Sequence, residues 1–269
     1  MSTLHSVALA VLFVYVMFPV VWLVASTFKE RVELFSRPPT LVPHALELRE
    51  YIALLHDPSF TISVRNSALV ASTTTLLTLA VGSLGAYAFA RMQFPGRKQL
   101  YLIILGTQML PSITVVIPLF ILLRRLHLLY TFQGLILSYM TFTLPYVVWL
   151  LRAFFLSVPA SIEEAARVDG CSRLRAILRV VFPLSAPGLA ATGIYAFVGA
   201  WNEFIFASII TNMATKTFPI RVAEFIGDRT IVYEAMFPAA VLGSLPVVLL
   251  VLVFQRQVIQ GLTEGGVKF

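Results

Sequence analysis

Long apolar runs are the feature that most restricts how this chain can fold. The first extends from Val7 to Ala25 without a charged residue, and comparable runs of about 18 to 24 residues recur, each long enough to cross a bilayer as a helix. The composition agrees, with 58% hydrophobic and only 12% charged residues, whereas soluble domains carry roughly 25% charge. A water-soluble globule is excluded, and so is an outer-membrane barrel, whose strands alternate over ~10 residues.

Six membrane spans are predicted, so the expected fold is an all-α integral membrane protein with one domain over residues 1–269. The first run is expected to be a retained span, because no Lys or Arg precedes it as in a cleaved signal peptide, and Lys29 and Arg31 follow it. The predicted spans are Leu4 to Phe28, Ser67 to Ala90, Leu100 to Leu123, Leu135 to Phe155, Leu189 to Thr211 and Phe237 to Phe254.

Two polar segments interrupt the spans. Residues 29–66 are rich in proline and charge and are expected to form a small cap outside the lipid. Residues 156–188 have the pattern of two short helices. Ser161 and Glu164 have the spacing of a capping box, Gly170 ends the first helix, and Ser172 can cap the second, which extends towards Pro183.

The basic residues do not fix the orientation, because Lys and Arg are shared almost equally between the two sets of loops. The dense group of Arg91, Arg97 and Lys98 favours a cytoplasmic position for the loop after span two and for both termini. The net charge is +7, and the basic residues lie in short loops between the apolar runs. This position indicates that they interact with membrane lipid and partner subunits rather than with nucleic acid.

On span two, Gly82, Ala86 and Ala90 form a small-residue face that lets another helix approach closely.

Sites for chemistry are scarce. No phosphate-binding glycine motif is present, Cys171 is the single cysteine, and the four histidines are scattered, so we predict no catalytic residue, no metal site and no cofactor in this chain. Glu163 to Arg167 is similar to the EExxxR signature of intramembrane proteases, but the arginine comes one residue early. Glu203, inside span five, leaves an ion-coupled secondary transporter open as an alternative.

The loop between spans four and five carries a family resemblance. Glu164-Ala165-Ala166, three residues, Gly170, nine residues, Val180, one residue and Phe182-Pro183 resemble the EAA loop of binding-protein-dependent ABC importers, EAA-x3-G-x9-I-x-LP. Val180 and Phe182 replace the usual Ile and Leu. Further segments are similar to the carbohydrate-uptake permeases, namely Gly85 to Arg91, Trp201-Asn202-Glu203-Phe204 and Gly261 to Lys268.

The resemblance implies the smaller six-span permease subunit of a maltose- or trehalose-type importer, in a bacterial or archaeal cytoplasmic membrane, with both termini, the loop 156–188 and the tail 257–269 cytoplasmic. It implies transport of a di- or oligosaccharide, or of a non-sugar solute as the nearest rival. The implied partners are a second homologous permease, two cytoplasmic ATPase subunits that bind ATP and Mg, and an extracellular sugar-binding protein.

The same resemblance assigns roles to individual residues. The implied ATPase-coupling residues are Glu163, Glu164, Ala165, Ala166, Asp169, Gly170, Val180 and Pro183. The tail residues implied to contact the ATPases, with glycines keeping that tail flexible, are Gly261, Gly265, Gly266 and Lys268. As groups lining the substrate pathway we expect polar or amphipathic residues inside the spans, because these usually face protein or water. They are Tyr139, Tyr195, Asn202 and Glu203.

Overall fold

A computed structural model describes the backbone of residues 3–227 and 230–266 and the side chains of residues 5–227 and 230–257. Within these residues the chain is helical, and its sole β pairing is a bridge between Ile226 and Ile231. The helices are α1 (Thr3–Ser26), α2 (Arg31–Leu34), α3 (Arg49–His56), α4 (Pro58–Arg91), α5 (Arg97–Gly106), α6 (Ser112–Arg125), α7 (Phe132–Ser157), α8 (Ala160–Val168), α9 (Arg173–Ala176), α10 (Phe182–Leu184), α11 (Ala186–Trp201), α12 (Ile205–Ile210), α13 (Phe218–Ala223) and α14 (Tyr233–Gly266).

The predicted all-α, six-span architecture is confirmed. Four helices, α1, α4, α7 and α14, are long and apolar enough to cross a membrane by themselves. Two bent pairs supply the remaining candidates, so that counting each pair as one span gives six within the described residues. The pairs are Arg97–Met109 with Ser112–Arg125, and Arg173–Leu184 with Ala186–Trp201.

Span three is not one continuous helix. Its two halves meet at an angle of 103°, after a short 3₁₀ segment, Thr107–Met109, that ends α5. Leu110 is extended, with φ −76° and ψ 127°, because the ring of Pro111 disfavours the α conformation in the residue before it. The apolar run therefore makes a sharp corner at Pro111.

Span five also differs from the prediction. Its longer helix begins at Ala186, at an angle of 82° to the preceding helical segment, and ends at Trp201 rather than near Thr211. Asn202, Glu203 and Phe204 interrupt the helix before α12 begins at Ile205. The residues predicted to lie in the middle of this span are thus at a break in it.

Span two is longer than predicted, because α4 already begins at Pro58. Proline is favoured at the first position of a helix, and the Asp57 carboxylate accepts a hydrogen bond from the Ser59 N–H at 2.9 Å as a cap. Burial raises the pKa of Asp57, but the hydrogen bond from Arg221 at 2.8 Å, the Ser59 N–H and the charge of Arg221 together lower that pKa. The end of the predicted external segment 29–66 is therefore helical and belongs to α4.

The chain divides into two compact units, one of residues 1–64 and 221–246 and the other of residues 65–220 and 247–269. In the first unit the segment after α1 packs beside the start of α14. Arg31 pairs there with Glu234 at 3.3 Å, and the ring of Phe35 meets that of Tyr233 edge-on. The prediction of a single domain stays a prediction.

The second unit is built around the packing of α4, α7 and α11. A Cβ atom added at Gly82 of α4 would lie 2.7 Å from Val147 Cγ1 of α7, and one added at Gly188 of α11 would lie 2.3 Å from the Phe154 ring. The predicted small-residue face of span two is therefore confirmed, with Ala86 fully buried beside Gly82. This close packing positions both candidate sites described below.

Candidate coupling and translocation sites

The EAA-like segment forms a short helix, α8, directly after α7. Gly170 ends it with φ +88°, a left-handed conformation that glycine adopts without steric cost. The Gly170 N–H donates to the Arg167 carbonyl at 3.1 Å, and the Cys171 N–H donates to the Ala166 carbonyl at 3.0 Å. These bonds close the helix and reverse the chain, as the sequence predicted for Gly170.

The two predicted caps have different outcomes. Ser161 does not cap α8, because Pro159 occupies the N-cap position and Ser161 lies inside the first turn. A proline at this boundary already has the backbone angles that lead into a helix, and no side-chain cap bond forms. Ser172 does cap the next helix, since its hydroxyl accepts from the Arg175 N–H at 3.4 Å.

The predicted coupling residues divide into two groups by burial. Glu164, Ala165, Asp169 and Gly170 are exposed, and Ala166 is half-buried. Glu163 is buried, with 7% of its surface exposed. Only the first group can present itself to another protein, so the two adjacent glutamates of α8 have different surroundings.

Glu163 joins α8 to the end of α4. The Tyr87 hydroxyl donates a hydrogen bond to one carboxylate oxygen of Glu163, and Arg91 Nε lies 3.5 Å from the other. Arg91 also donates to the Val158 carbonyl, just before α8. Because Tyr87 and Arg91 are four residues apart on one face of α4, a carboxylate can bridge them. We name Tyr87, Arg91 and Glu163 the α4–α8 clamp.

Sequence reasoning assigned Glu163 a partner-facing role and gave Tyr87 and Arg91 none of their own. The spacing of a tyrosine and an arginine on one helix face indicates that they can bind one group together, but the sequence does not show which carboxylate they meet.

The last two predicted coupling residues lie after α9 in the chain. Val180 is half-buried in a π-helical segment, Ile177–Val181, and Pro183 is exposed. The buried contacts of this segment come from Ile177 and Val181.

A second candidate site is a cavity of about 270 Å³ in the same unit. The rings of Tyr146 and Tyr195 stack in it, with centroids 3.7 Å apart. Tyr195 is 50% exposed, whereas Tyr139 is almost wholly buried. We name this the aromatic cavity. The residues that line it include Gln108, Tyr139, Phe142, Tyr146, Tyr195 and Glu203.

Glu203 lies at the break between α11 and α12. Its two carboxylate oxygens accept hydrogen bonds from the Phe206 N–H at 2.9 Å and the Ala207 N–H at 3.1 Å. These are N–H groups at the start of α12, which have no partner within that helix. Glu203 therefore stabilises the break and places a carboxylate on the wall of the aromatic cavity.

Three of the four predicted pathway residues meet in this cavity, namely Tyr139, Tyr195 and Glu203. Asn202 is exposed and does not line it. Sequence reasoning missed Tyr146 and Gln108. Tyr146 could have been found, because Tyr139, Phe142 and Tyr146 recur at helical spacing on one face of α7. Gln108 reaches the site only through the corner in span three, where it donates to the Phe142 carbonyl at 3.1 Å.

The C-terminal tail was expected to be flexible, but as far as Gly266 it is helical. Gly261, Gly265 and Gly266 continue α14 instead of forming a flexible extension, since isolated glycines cost a helix only ~1 kcal/mol each. Lys268 lies outside the described residues. Among the side chains that the structure describes, no group of three potential metal ligands comes together.

Comparison with known proteins shows the family to which this chain belongs. The family of binding-protein-dependent transport system inner membrane components matches residues 57–264. The chain is 37% identical to the sulfoquinovosyl glycerol transport system permease protein of Agrobacterium fabrum, over 98% of this chain and 93% of the relative. It is 35% identical to the trehalose/maltose transport system permease protein of Thermococcus litoralis, over 94% of this chain and 91% of the relative.

The fold also matches solved importers. A bacterial ABC transporter for the import of the acidic polysaccharide alginate contains a chain with TM-score 0.80 and 23% identity, over 94% of both chains. The MetNI methionine ABC transporter matches with TM-score 0.62 and 16% identity, over 79% of this chain and 98% of that chain. From the family match and the identities of its relatives, the chain belongs to the binding-protein-dependent transport system inner membrane components, the permease subunits of ABC importers.

Proposed function

We propose that this chain forms half of the pathway by which an ATP-driven importer carries a di- or oligosaccharide across the cytoplasmic membrane. The observation that carries the proposal is the stacked pair of Tyr146 and Tyr195 beside Glu203 in the aromatic cavity. The relatives are named for glycosides, including sulfoquinovosyl glycerol, trehalose/maltose and diacetylchitobiose, and this supports a sugar over other solutes.

The chemistry of the aromatic cavity suits a sugar. The C–H faces of a pyranose are apolar and pack on aromatic rings, while its hydroxyl groups need hydrogen-bond partners. Tyr195 offers an exposed ring, and Gln108 and Glu203 line the same cavity and offer polar atoms. A pocket lined mainly by apolar and aromatic side chains, with a few placed polar groups, is the usual form of a small-molecule site.

Transport needs energy from other chains in this proposal. The exposed residues Glu164, Ala165 and Ala166 of α8 would dock on a cytoplasmic ATPase subunit, and two such subunits would bind the ATP and Mg. The α4–α8 clamp would pass the movement of α8 to α4, because it ties the two helices through buried charged groups. A second homologous permease would complete the pathway.

The proposed orientation follows from this docking. Both termini, the loop 156–188 and the tail 257–269 would be cytoplasmic, and Gly261, Gly265, Gly266 and Lys268 would reach the ATPases. The segment after α1 and the region from Thr211 to Ala235 would face an extracellular sugar-binding protein. Deletion of residues 261–269 should then lower stimulated ATP hydrolysis and leave membrane insertion unchanged.

The function is tested with the complete transporter in proteoliposomes, together with its binding protein and a radiolabelled disaccharide panel. We expect uptake that requires ATP, the binding protein and an intact α8. Gly170→Asp and Ala165→Asp should each abolish uptake and ATPase association. Uptake driven by an ion gradient without the ATPases would overturn the proposal in favour of a secondary transporter, and uptake of an amino acid alone would overturn the sugar assignment.

A further inference from the structure

A second cavity, of about 280 Å³, lies beside the loop between α4 and α5. Three of its five lining residues are basic, Arg97, Lys98 and Arg152, and the other two are aromatic, Phe89 and Tyr101. None of these five described residues is acidic. Neither the coupling role nor the aromatic cavity uses these residues. We name this the basic cavity.

Arg152 is the most constrained of the three cations. It lies in α7, five residues before the last residue, Ser157, and its Nε donates to the Phe89 carbonyl at 3.3 Å. Its guanidinium lies 4.7 Å from the centre of the Tyr101 ring, a cation–π distance. Within the described residues its two terminal nitrogens have no hydrogen-bond partner, so they remain available as donors to a ligand.

The other two cations begin α5. Gly96, with φ +77°, turns the chain into the helix, and Arg97 donates from Nη1 to the Met92 carbonyl at 2.9 Å. Lys98 is exposed and makes no hydrogen bond or ion pair within the described part of the chain. The positive end of the α5 dipole adds to the positive charge here. The site attracts an anion.

The position of the cavity indicates what kind of anion this is. It lies at the end of α7 that leads into α8, at the junction of two candidate spans, α4 and the α5–α6 pair. Next to the basic residues, α5 exposes apolar side chains that suit acyl chains, Leu100, Leu102 and Ile103. Cations at a span end beside exposed apolar surface match a phospholipid, which carries a phosphate and acyl chains together.

We propose that the basic cavity binds the phosphate of an anionic phospholipid headgroup. Arg97, Lys98 and Arg152 would hold the phosphate oxygens, because guanidinium groups bind phosphate through paired hydrogen bonds. The acyl chains would lie along the exposed face of α5. The proposal depends on the chain spanning a membrane and not on which solute it carries.

The test uses the complete transporter in nanodiscs of phosphatidylcholine alone or of an equimolar mixture with phosphatidylglycerol. Lipid retained after extraction is identified and titrated by native mass spectrometry. We expect one tightly held phosphatidylglycerol, and roughly fivefold weaker retention for Lys98→Gln. Arg152→Gln combined with Lys98→Gln should weaken it roughly twentyfold. Because Arg152 also contacts Phe89, the exposed Lys98 variant keeps the test valid if the double variant does not fold.

The matched control is Arg124→Gln with Arg125→Gln, which removes two exposed cations at the end of α6 and should leave lipid retention unchanged. Three outcomes would overturn the proposal. These are equal loss in the control variant, equally tight binding of glycerol 3-phosphate, and loss of ATPase association by Lys98→Gln, but not by the unchanged chain, in phosphatidylcholine alone. The second would assign the site to a free phosphate, and the third to an acidic surface of a partner protein.

Discussion

Glu163 and Glu203 are two partly or wholly buried carboxylates in the same compact unit, and they are held in different ways. Glu163 is bound by the side chains of Tyr87 and Arg91, the former 76 residues away in the chain. Glu203 is bound by backbone N–H groups only three and four residues further along. The first glutamate joins two helices, whereas the second stabilises a break within one apolar run.

The difference follows from the cost of a buried charge. A carboxylate removed from water needs partners that satisfy its oxygens. At α8 these partners are a hydroxyl and a cation, so the contact resists separation of α8 from α4. At the α11–α12 break the helix end supplies the partners locally. One side of Glu203 is thus free to face a cavity, while Glu163 is enclosed.

The largest expected effect separates the two adjacent glutamates of α8. Glu163→Ala leaves the partly buried Arg91 without its carboxylate, so we expect a loss of ~3 kcal/mol in the unfolding free energy of the permease. Glu164→Ala is the matched control on the exposed face and should cost less than ~0.5 kcal/mol, while lowering ATPase association. Thermal unfolding and co-purification of the ATPase measure the two effects; equal destabilisation would contradict the clamp.

The turn after α8 should be the next most sensitive. Gly170→Ala adds a methyl group that meets no atom within 4 Å, so its effect isolates the left-handed backbone at φ +88°. We expect ~1 to 2 kcal/mol of destabilisation and weaker coupling of ATP hydrolysis to uptake. Gly106→Ala, also without a neighbour within 4 Å but with a helical backbone at φ −60°, is the control and should be neutral or mildly stabilising.

The aromatic cavity beside Glu203 is tested at its stacked tyrosines, Tyr146 and Tyr195. Tyr195→Ala removes one ring of the stack, and we expect a roughly fivefold higher KM for sugar uptake, equivalent to ~1 kcal/mol. Tyr195→Phe should retain most of the affinity because the ring remains. Tyr15→Ala, on the exposed surface of α1, provides the control for loss of a tyrosine; the same rise in KM there would remove the aromatic cavity from the pathway.

The smallest effect is expected at Glu203 itself. Glu203→Gln leaves one acceptor oxygen for two N–H groups, so the cap on α12 should weaken by ~1 kcal/mol. Asn202→Ala changes a neighbouring exposed residue outside the cavity and should have no such effect. Unfolding of both variants in detergent checks this. A Glu203→Gln variant of unchanged stability would show that the carboxylate is not a structural cap.

Much of the site was predictable where the controlling contacts are local. The glycine turn at Gly170 and the cap at Ser172 depend on neighbouring residues, and both are as predicted. The corner at Pro111 and the break at Glu203 also have local causes, but hydropathy averages over a whole window and gives neither the size of a bend nor the place where a helix ends.

The contacts between distant parts of the chain were not predictable in the same way. Tyr146 and Gln108 join Tyr195 and Glu203 only because α7, α11 and the corner of span three come together. Glu163 turned inwards although Glu164, the next residue, turned outwards. Because both positions hold glutamate, the residue type cannot decide which of the two is buried. Only the direction of each helix face relative to α4 decides it.

By itself the sequence determined that the chain is helical, spans a membrane and belongs to a family of importer permeases, because apolar run length and motif spacing are properties of the linear chain. The tertiary structure decided which carboxylate is enclosed, which tyrosines stack and which cations share a cavity. The physical reason is that desolvation and close packing depend on neighbours that are distant along the chain, and helix packing alone brings these together.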